Sequence, residues 1–75
     1  MSEGTAESAA ARAAKAKARE IEAHRRAIKM HEDAVRLFDR LHQTEKSRAA
    51  RERADRAREM LRDALAEQAE ADAGS

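Results

Sequence analysis

Cysteine and proline are absent from the sequence, which also contains only two glycines and a single aromatic residue. Without cysteine, the chain can form no disulfide and can offer no thiolate to a zinc ion. Because proline is absent and the long central part lacks glycine, nothing there breaks a helix. No apolar run approaches a membrane span or a signal-peptide core, and the first residues are polar, so we expect a cytoplasmic protein.

Charged residues and alanine dominate what is present. Charged residues make up 41% of the chain, yet the net charge is only +1, and most of the nominally hydrophobic residues are alanine. The large apolar residues after the initiator are few: Ile21, Ile28, Met30, Val35, Leu37, Phe38, Leu41, Met60, Leu61 and Leu65. A short chain with so small a core usually needs oligomerisation or a partner when it has no disulfide or metal. We therefore expect the chain to associate with itself or with a protein partner.

The segment 21–42 holds seven of those ten residues and predicts a strongly amphipathic helix. At about 100° per residue, its apolar side chains occupy about half of the helix circumference. That arc is wider than the seam of a coiled coil, so we expect this helix to contact one neighbour from its own chain and another from outside. The alanine-rich segment before it, with Lys and Arg, favours a helix over 9–42.

A second helix is predicted over 45–69, within a hairpin spanning 9–70, with a turn at 43–44. A narrow, alanine-rich line runs along it at spacings of four and three, formed by Ala50, Ala54, Ala57, Leu61, Ala64 and Gln68. We expect Ala54, Ala57 and Leu61 to pack against the first helix, since small residues let helix axes approach closely. Thr44 is the expected N-cap, with Ser47 as a competitor. Segments 1–8 and 71–75 are expected to be disordered tails.

Charge placement favours a chain that folds back on itself. Segment 11–19 carries basic residues without acids, and segment 63–72 carries acids without bases. A turn near 43–44 brings these segments together with opposite signs, although the absence of glycine there leaves one uninterrupted helix as an alternative. The fold class is thus all-α, an antiparallel two-helix hairpin that assembles into a four-helix bundle or packs on a partner. The residues expected at the partner interface are Ile28, Val35, Phe38 and Leu41.

Three histidines form the sharpest chemical pattern. His24, His31 and His42 lie seven and eleven residues apart, on the edge of the apolar arc. The first two are separated by about 10.5 Å along a helix, too far to ligate one metal from the same chain. We interpret them as boundary residues and predict no metal and no cofactor. A metal-binding bundle and a pH-sensitive interface are the alternatives. The acid pairs lack a pocket that could perturb their pKa, so no catalytic residue is predicted.

Basic residues support an alternative function in nucleic-acid association. The candidate contacts lie in the basic N-terminal segment and early in the second helix: Arg12, Lys15, Lys17, Arg48 and Arg51. Phosphate binding requires uncompensated positive charge, however, and acids are interleaved with these residues. The chain also lacks aromatic platforms for stacking bases.

The pattern A-x2-MHE-x-A-x2-LFDRL over 27–41, followed by A-x2-A-x2-ML-x2-AL over 54–65, resembles a single helical hairpin of the tetratricopeptide type. About half of the chain is covered, and the large aromatics and terminal proline of such repeats are missing. The resemblance implies a protein-binding scaffold and no catalytic residue. Our expectation is a small non-enzymatic interaction module, an adaptor, regulatory or accessory subunit, that forms a homodimer or binds a helical protein.

Overall fold

The computed structural model describes residues 8–74 and contains two long helices joined by a three-residue turn. Helix α1 spans Ala9–Arg40 and helix α2 spans Thr44–Ala73. The two helices pack side by side in opposite directions, which confirms the predicted all-α hairpin and rules out one uninterrupted helix. Compared with the expected bounds, α1 ends two residues earlier and α2 continues four residues further. Most of the predicted tail 1–8 lies outside the described residues, while the predicted tail 71–75 is helical through Ala73.

The start of α1 is fixed by Ser8. Its side-chain oxygen accepts a hydrogen bond from the backbone N–H of Ala11 at 3.0 Å, which satisfies one of the donors that every helix leaves unpaired at its first turn. Alanine, lysine and arginine then follow, and these are among the best helix-forming residues.

The end of α1 is a Schellman motif formed without glycine. The backbone N–H of Gln43 donates to the carbonyl oxygen of Phe38 at 2.9 Å. The backbone N–H of His42 donates to the carbonyl oxygen of Asp39 at 3.1 Å. His42 adopts the left-handed conformation, with φ of 58°, at the position where glycine is the usual residue. The reversal of the chain thus depends on one strained histidine.

The expected N-cap of α2 was wrong. Gln43 occupies the cap position and makes no side-chain cap bond, while Thr44 is the first helical residue. Ser47, the competing candidate, is buried against α1 and donates its hydroxyl to the Asp39 carboxylate instead of capping a helix. Glu45 lies in the first turn of α2, as expected for an acid near the positive end of the helix dipole.

The core is thin and made mostly of alanine. Ala50, Ala54, Ala57 and Ala64 are buried along one side of α2, and Ile21 is the only large side chain among residues 8–74 that is buried. The hairpin is only as thick as one helix, since its Cα atoms extend over 11 Å in the shortest direction. Domains generally bury their apolar faces between two layers, and residues 8–74 form a single one.

Neither α1 nor α2 contains a segment apolar enough to cross a lipid bilayer.

Candidate interaction surface

Large apolar side chains remain exposed on the hairpin. Met30 is 60% exposed, Leu41 53% and Leu37 44%, and on α2 Met60 and Leu65 are also exposed. Isolated exposed apolar residues are common on protein surfaces, whereas a contiguous set marks a site of interaction. The arrangement of these residues therefore decides their meaning.

Three of the exposed residues fall on one line along α1. The line continues through alanines at spacings of four, three, four, three and four, and we call it the α1 stripe: Ala23, Ala27, Met30, Ala34, Leu37 and Leu41. At about 100° per residue, the stripe lies about 100–180° around α1 from Ile21, Ile28 and Val35. Those three residues, spaced by seven, lie on the side that meets α2.

The α1 stripe continues onto α2 at one point. Met60 shares a shallow groove between the helices with Ala27, and it is 54% exposed there. The exposed apolar surface therefore includes most of one side of α1 and one residue of its neighbour.

The residues predicted for the partner interface are divided by the structure. Ile28 and Val35 are half-buried in grooves between the helices, the first beside Leu61 and the second beside Ala54. Phe38 is also half-buried, and the ammonium group of Lys46 lies 5.9 Å from the centre of its ring. Leu41 is exposed and belongs to the α1 stripe. Met30 and Leu37 were not among the predicted interface residues, although their helical spacing is visible in the sequence.

Of the residues expected to close the hairpin, Ala54 and Ala57 are buried and Leu61 is half-buried. All three lie where α2 meets α1, as expected for residues that close the hairpin.

The opposite face of the hairpin is charged and internally paired. Arg58 lies at its centre and donates to Glu32 on α1, and its other amino group lies 2.9 Å from Asp55. These carboxylates, Glu32 first, raise the pKa of Arg58 above its ordinary value. Because the charged side chains on this face pair with one another, we do not expect this face to bind a partner.

Two further polar contacts tie the helices together near their ends. Toward the open end, Lys17 donates to Glu67 and also lies 3.1 Å from Glu20, which brings together the basic and acidic segments as the charge pattern predicted. Glu67 first, and then Glu20, raise the pKa of Lys17. Hydrogen bonds from Lys17 first, and then from His24, lower the pKa of Glu20.

Near the turn, Asp39 accepts from the Ser47 hydroxyl and from Arg51 at 3.0 Å. The pKa of Asp39 lies below its ordinary value. The hydrogen bond from Ser47 is the main cause, and Arg51 contributes less. These bonds lock the first turns of α2 onto the last turn of α1.

The candidate nucleic-acid contacts do not form a basic patch of uncompensated charge. Lys17 is held by Glu67, Arg51 by Asp39, and Arg48 lies 3.4 Å from Glu45. Arg12 and Lys15 lie on exposed positions of α1 near its start. The nucleic-acid alternative stays a prediction, and no feature of the described surface favours it.

The histidines are spread over the hairpin. His24 and His31 are half-buried and flank the groove that contains Met60, and His24 Nε2 lies 3.4 Å from the Glu20 carboxylate. His42 lies at the turn. Within residues 8–74, no three His, Cys, Asp or Glu side chains are grouped so that they could hold a metal ion.

No family model, curated protein or solved structure matches this chain. The likeness to a tetratricopeptide hairpin therefore rests on spacing alone. What the protein does has to be argued from its own surface, on which the α1 stripe is the most distinctive feature.

Proposed function

We propose that this chain is a small, non-enzymatic protein–protein interaction module that uses the α1 stripe to bind a helical surface. The observation that carries the proposal is the exposure of Met30, Leu37 and Leu41 along one line of a hairpin that is only one layer thick. An amphipathic helix that presents apolar anchors at spacings of three and four is typical of helix-to-helix recognition.

The shape of the stripe supports a helical partner. Alanines separate the large side chains, so a facing helix can approach closely and place its own side chains over them. An interface of this kind needs a central apolar cluster surrounded by polar residues. Here Arg26, Asp33 and Arg40 border the stripe on one side, in the manner of charged residues that flank a coiled-coil seam.

The grooves of the hairpin support a binding role over catalysis. They are shallow channels along the line where the two helices meet, and the two on the face of Arg58 are lined mainly by charged side chains. Catalytic sites are concave and hold groups with matched, perturbed pKa values. The pKa shifts found here are caused by hydrogen bonds and ion pairs that join the two helices or neighbouring turns of one helix.

Site-specific photocrosslinking in the source cell tests the proposal. A photoactivatable residue at position 37 should produce crosslinked species of higher mass, and the same residue at position 25, on the charged face, should not. The identity of the captured protein, a second copy or a different one, is read by mass spectrometry. Equal yields from the two positions, or none from either, would overturn the proposed role of the stripe.

A further inference from the structure

We infer that the partner of the α1 stripe is a second copy of this chain, bound antiparallel about a two-fold axis that passes between Met30 and Ala34. This inference rests on the proposed function, because it names the partner of the same surface. Three features of the hairpin carry it: the exposure of the large side chains of the stripe, the order of large and small residues in the stripe, and the charge along α2.

The large side chains of the stripe have no covering layer. Met30, Leu41 and Leu37 are 60%, 53% and 44% exposed along one line of α1, and residues 8–74 form no helix besides α1 and α2 that could lie on them. One further hairpin, laid against the stripe, would supply that layer.

The stripe is complementary to itself when reversed. Alanines occupy its first two positions and leucines its last two, with Met30 and Ala34 between them. Pairing each residue with its counterpart in a reversed copy gives Met30 opposite Ala34, Leu37 opposite Ala27 and Leu41 opposite Ala23. Each pair occurs twice because a two-fold interface is isologous. Every large side chain then faces a small one, the arrangement that fills a helix–helix interface without voids.

A parallel copy would match the stripe poorly. It would set alanine opposite alanine near one end and leucine opposite leucine near the other. The helices could not stay at one separation along the stripe, because small residues favour close approach and large ones do not. The order of large and small residues along the stripe therefore favours the antiparallel orientation over the parallel one.

The charge distribution along α2 favours the same orientation. The first half of α2 is basic, whereas its second half has a single basic residue, Arg62, among five acids: Glu59, Asp63, Glu67, Glu70 and Asp72. Arg53 and Arg56 lie beside Met60 on the stripe side. Among the described residues, no carboxylate lies within ion-pair distance of either arginine. Because Glu32 on α1 contacts Arg58, a two-fold axis between Met30 and Ala34 lies near the middle of α2. An antiparallel copy therefore brings Glu59 and Asp63 of one α2 toward the basic first half of the other, whereas a parallel copy brings like charges together.

Cysteine crosslinking tests the orientation, and the natural absence of cysteine keeps the background clean. Two variants of the full chain, Ala27→Cys and Leu37→Cys, are mixed in equal amounts, one of them with a mass tag, and oxidised mildly. In the antiparallel pairing, residue 27 faces residue 37, while identical positions are offset by about 15 Å along the axis, beyond the reach of a disulfide. We expect the mixed disulfide to exceed both symmetric ones at least tenfold.

Other products of the same experiment would overturn the inference. Predominance of the two symmetric disulfides would indicate a parallel dimer, and a statistical mixture would indicate collisions without a defined register. An Arg25→Cys variant, with its thiol on the charged face, serves as the matched control and should remain uncrosslinked.

A second measurement separates this inference from the proposed function. Leu37→Asp should weaken self-association of the purified chain at least a hundredfold, because the change acts twice in a two-fold dimer, whereas Arg25→Asp should leave it within a few-fold. If the unsubstituted chain is a monomer at all concentrations while position 37 captures a different protein in cells, the self-pairing is wrong and the interaction module stands. If position 37 captures nothing, both are wrong.

Discussion

Replacing His42 with glycine should stabilise the hairpin, because His42 holds the left-handed backbone conformation that closes α1. Its φ is 58°, and its N–H and that of Gln43 make the two hydrogen bonds of the Schellman motif. Both bonds are made by backbone atoms, so glycine can keep them. The substitution removes only the clash that a β-carbon suffers in this region.

The expected gain follows from two opposing terms. The left-handed conformation costs a residue with a β-carbon about 1–2 kcal/mol. Glycine costs about 0.5–1 kcal/mol more than other residues in lost conformational freedom on folding. The free energy of unfolding should therefore rise by about 0.5–1 kcal/mol per chain, which corresponds to about 2–8 °C in thermal midpoint for a chain of this size.

Urea unfolding followed by circular dichroism, at one fixed chain concentration, measures this gain. His42→Ala keeps the β-carbon and its strain, so it should change stability little and thereby exclude a role for the imidazole. Arg40→Gly introduces glycine two residues earlier, inside the last turn of α1, and should cost up to about 1 kcal/mol. If His42→Gly leaves stability unchanged or lowers it, the left-handed conformation at the turn is not the source of strain argued here.

Three further predictions concern the helix interface, its pH dependence and nucleic acid. Ala54→Leu should destabilise the hairpin by about 1–3 kcal/mol, because Ala54 is only 2% exposed where α2 meets α1. The control Ala66→Leu, at an exposed position, should change the stability by less than about 0.5 kcal/mol. Equal effects of the two substitutions in thermal unfolding would contradict the close approach of the helices at Ala54. The lowered pKa of Asp39 means that its carboxylate contributes its full stability above about pH 4 and loses it as the pH falls through the lowered value. The thermal midpoint should therefore fall in acid, and Asp39→Asn should flatten that fall; an identical acid limb in the variant would refute the role of the Ser47 and Arg51 bonds. Gel shifts with generic DNA and RNA should show no binding at physiological salt, and a shift that weakens steeply with added salt would instead favour the nucleic-acid alternative.

The two helices and their antiparallel packing could be predicted because independent features of the sequence agreed. The alanine line of α2 has helical spacing and small side chains, and the basic and acidic segments pair only if the chain reverses. The contact between Lys17 and Glu67 is one result of that reversal. Such local and global consistency is what makes a fold readable from one sequence.

The exact turn could not be predicted, because its usual signal is missing. A helix that ends in this motif normally has glycine at the left-handed position, and histidine occurs there less often, though more often than most residues. The loss of large apolar residues after Leu41 placed the turn to within two residues. The role of Ser47 was also hidden, since a serine near a helix start predicts a cap and not a bond to the preceding helix.

The candidate surface was only half predictable. The apolar arc of α1 is so wide that it contains two lines of contacts, and the sequence does not say which of them meets α2. The line through Ile21, Ile28 and Val35 packs against the alanines of α2 and leaves Met30, Leu37 and Leu41 outside. Sequence periodicity gives the angle of a residue around its helix, but the choice between two apolar sides depends on packing with the second helix.

The most direct test of the account is the mass and helicity of the unsubstituted chain, measured together over a dilution series. The exposed α1 stripe predicts a mass of twice 8.3 kDa at high concentration, and a joint fall of mass and helicity on dilution, because the single-layer hairpin is stabilised by its copy. A chain that stays at 8.3 kDa throughout, with full helicity and a cooperative thermal transition that does not depend on concentration, would contradict it.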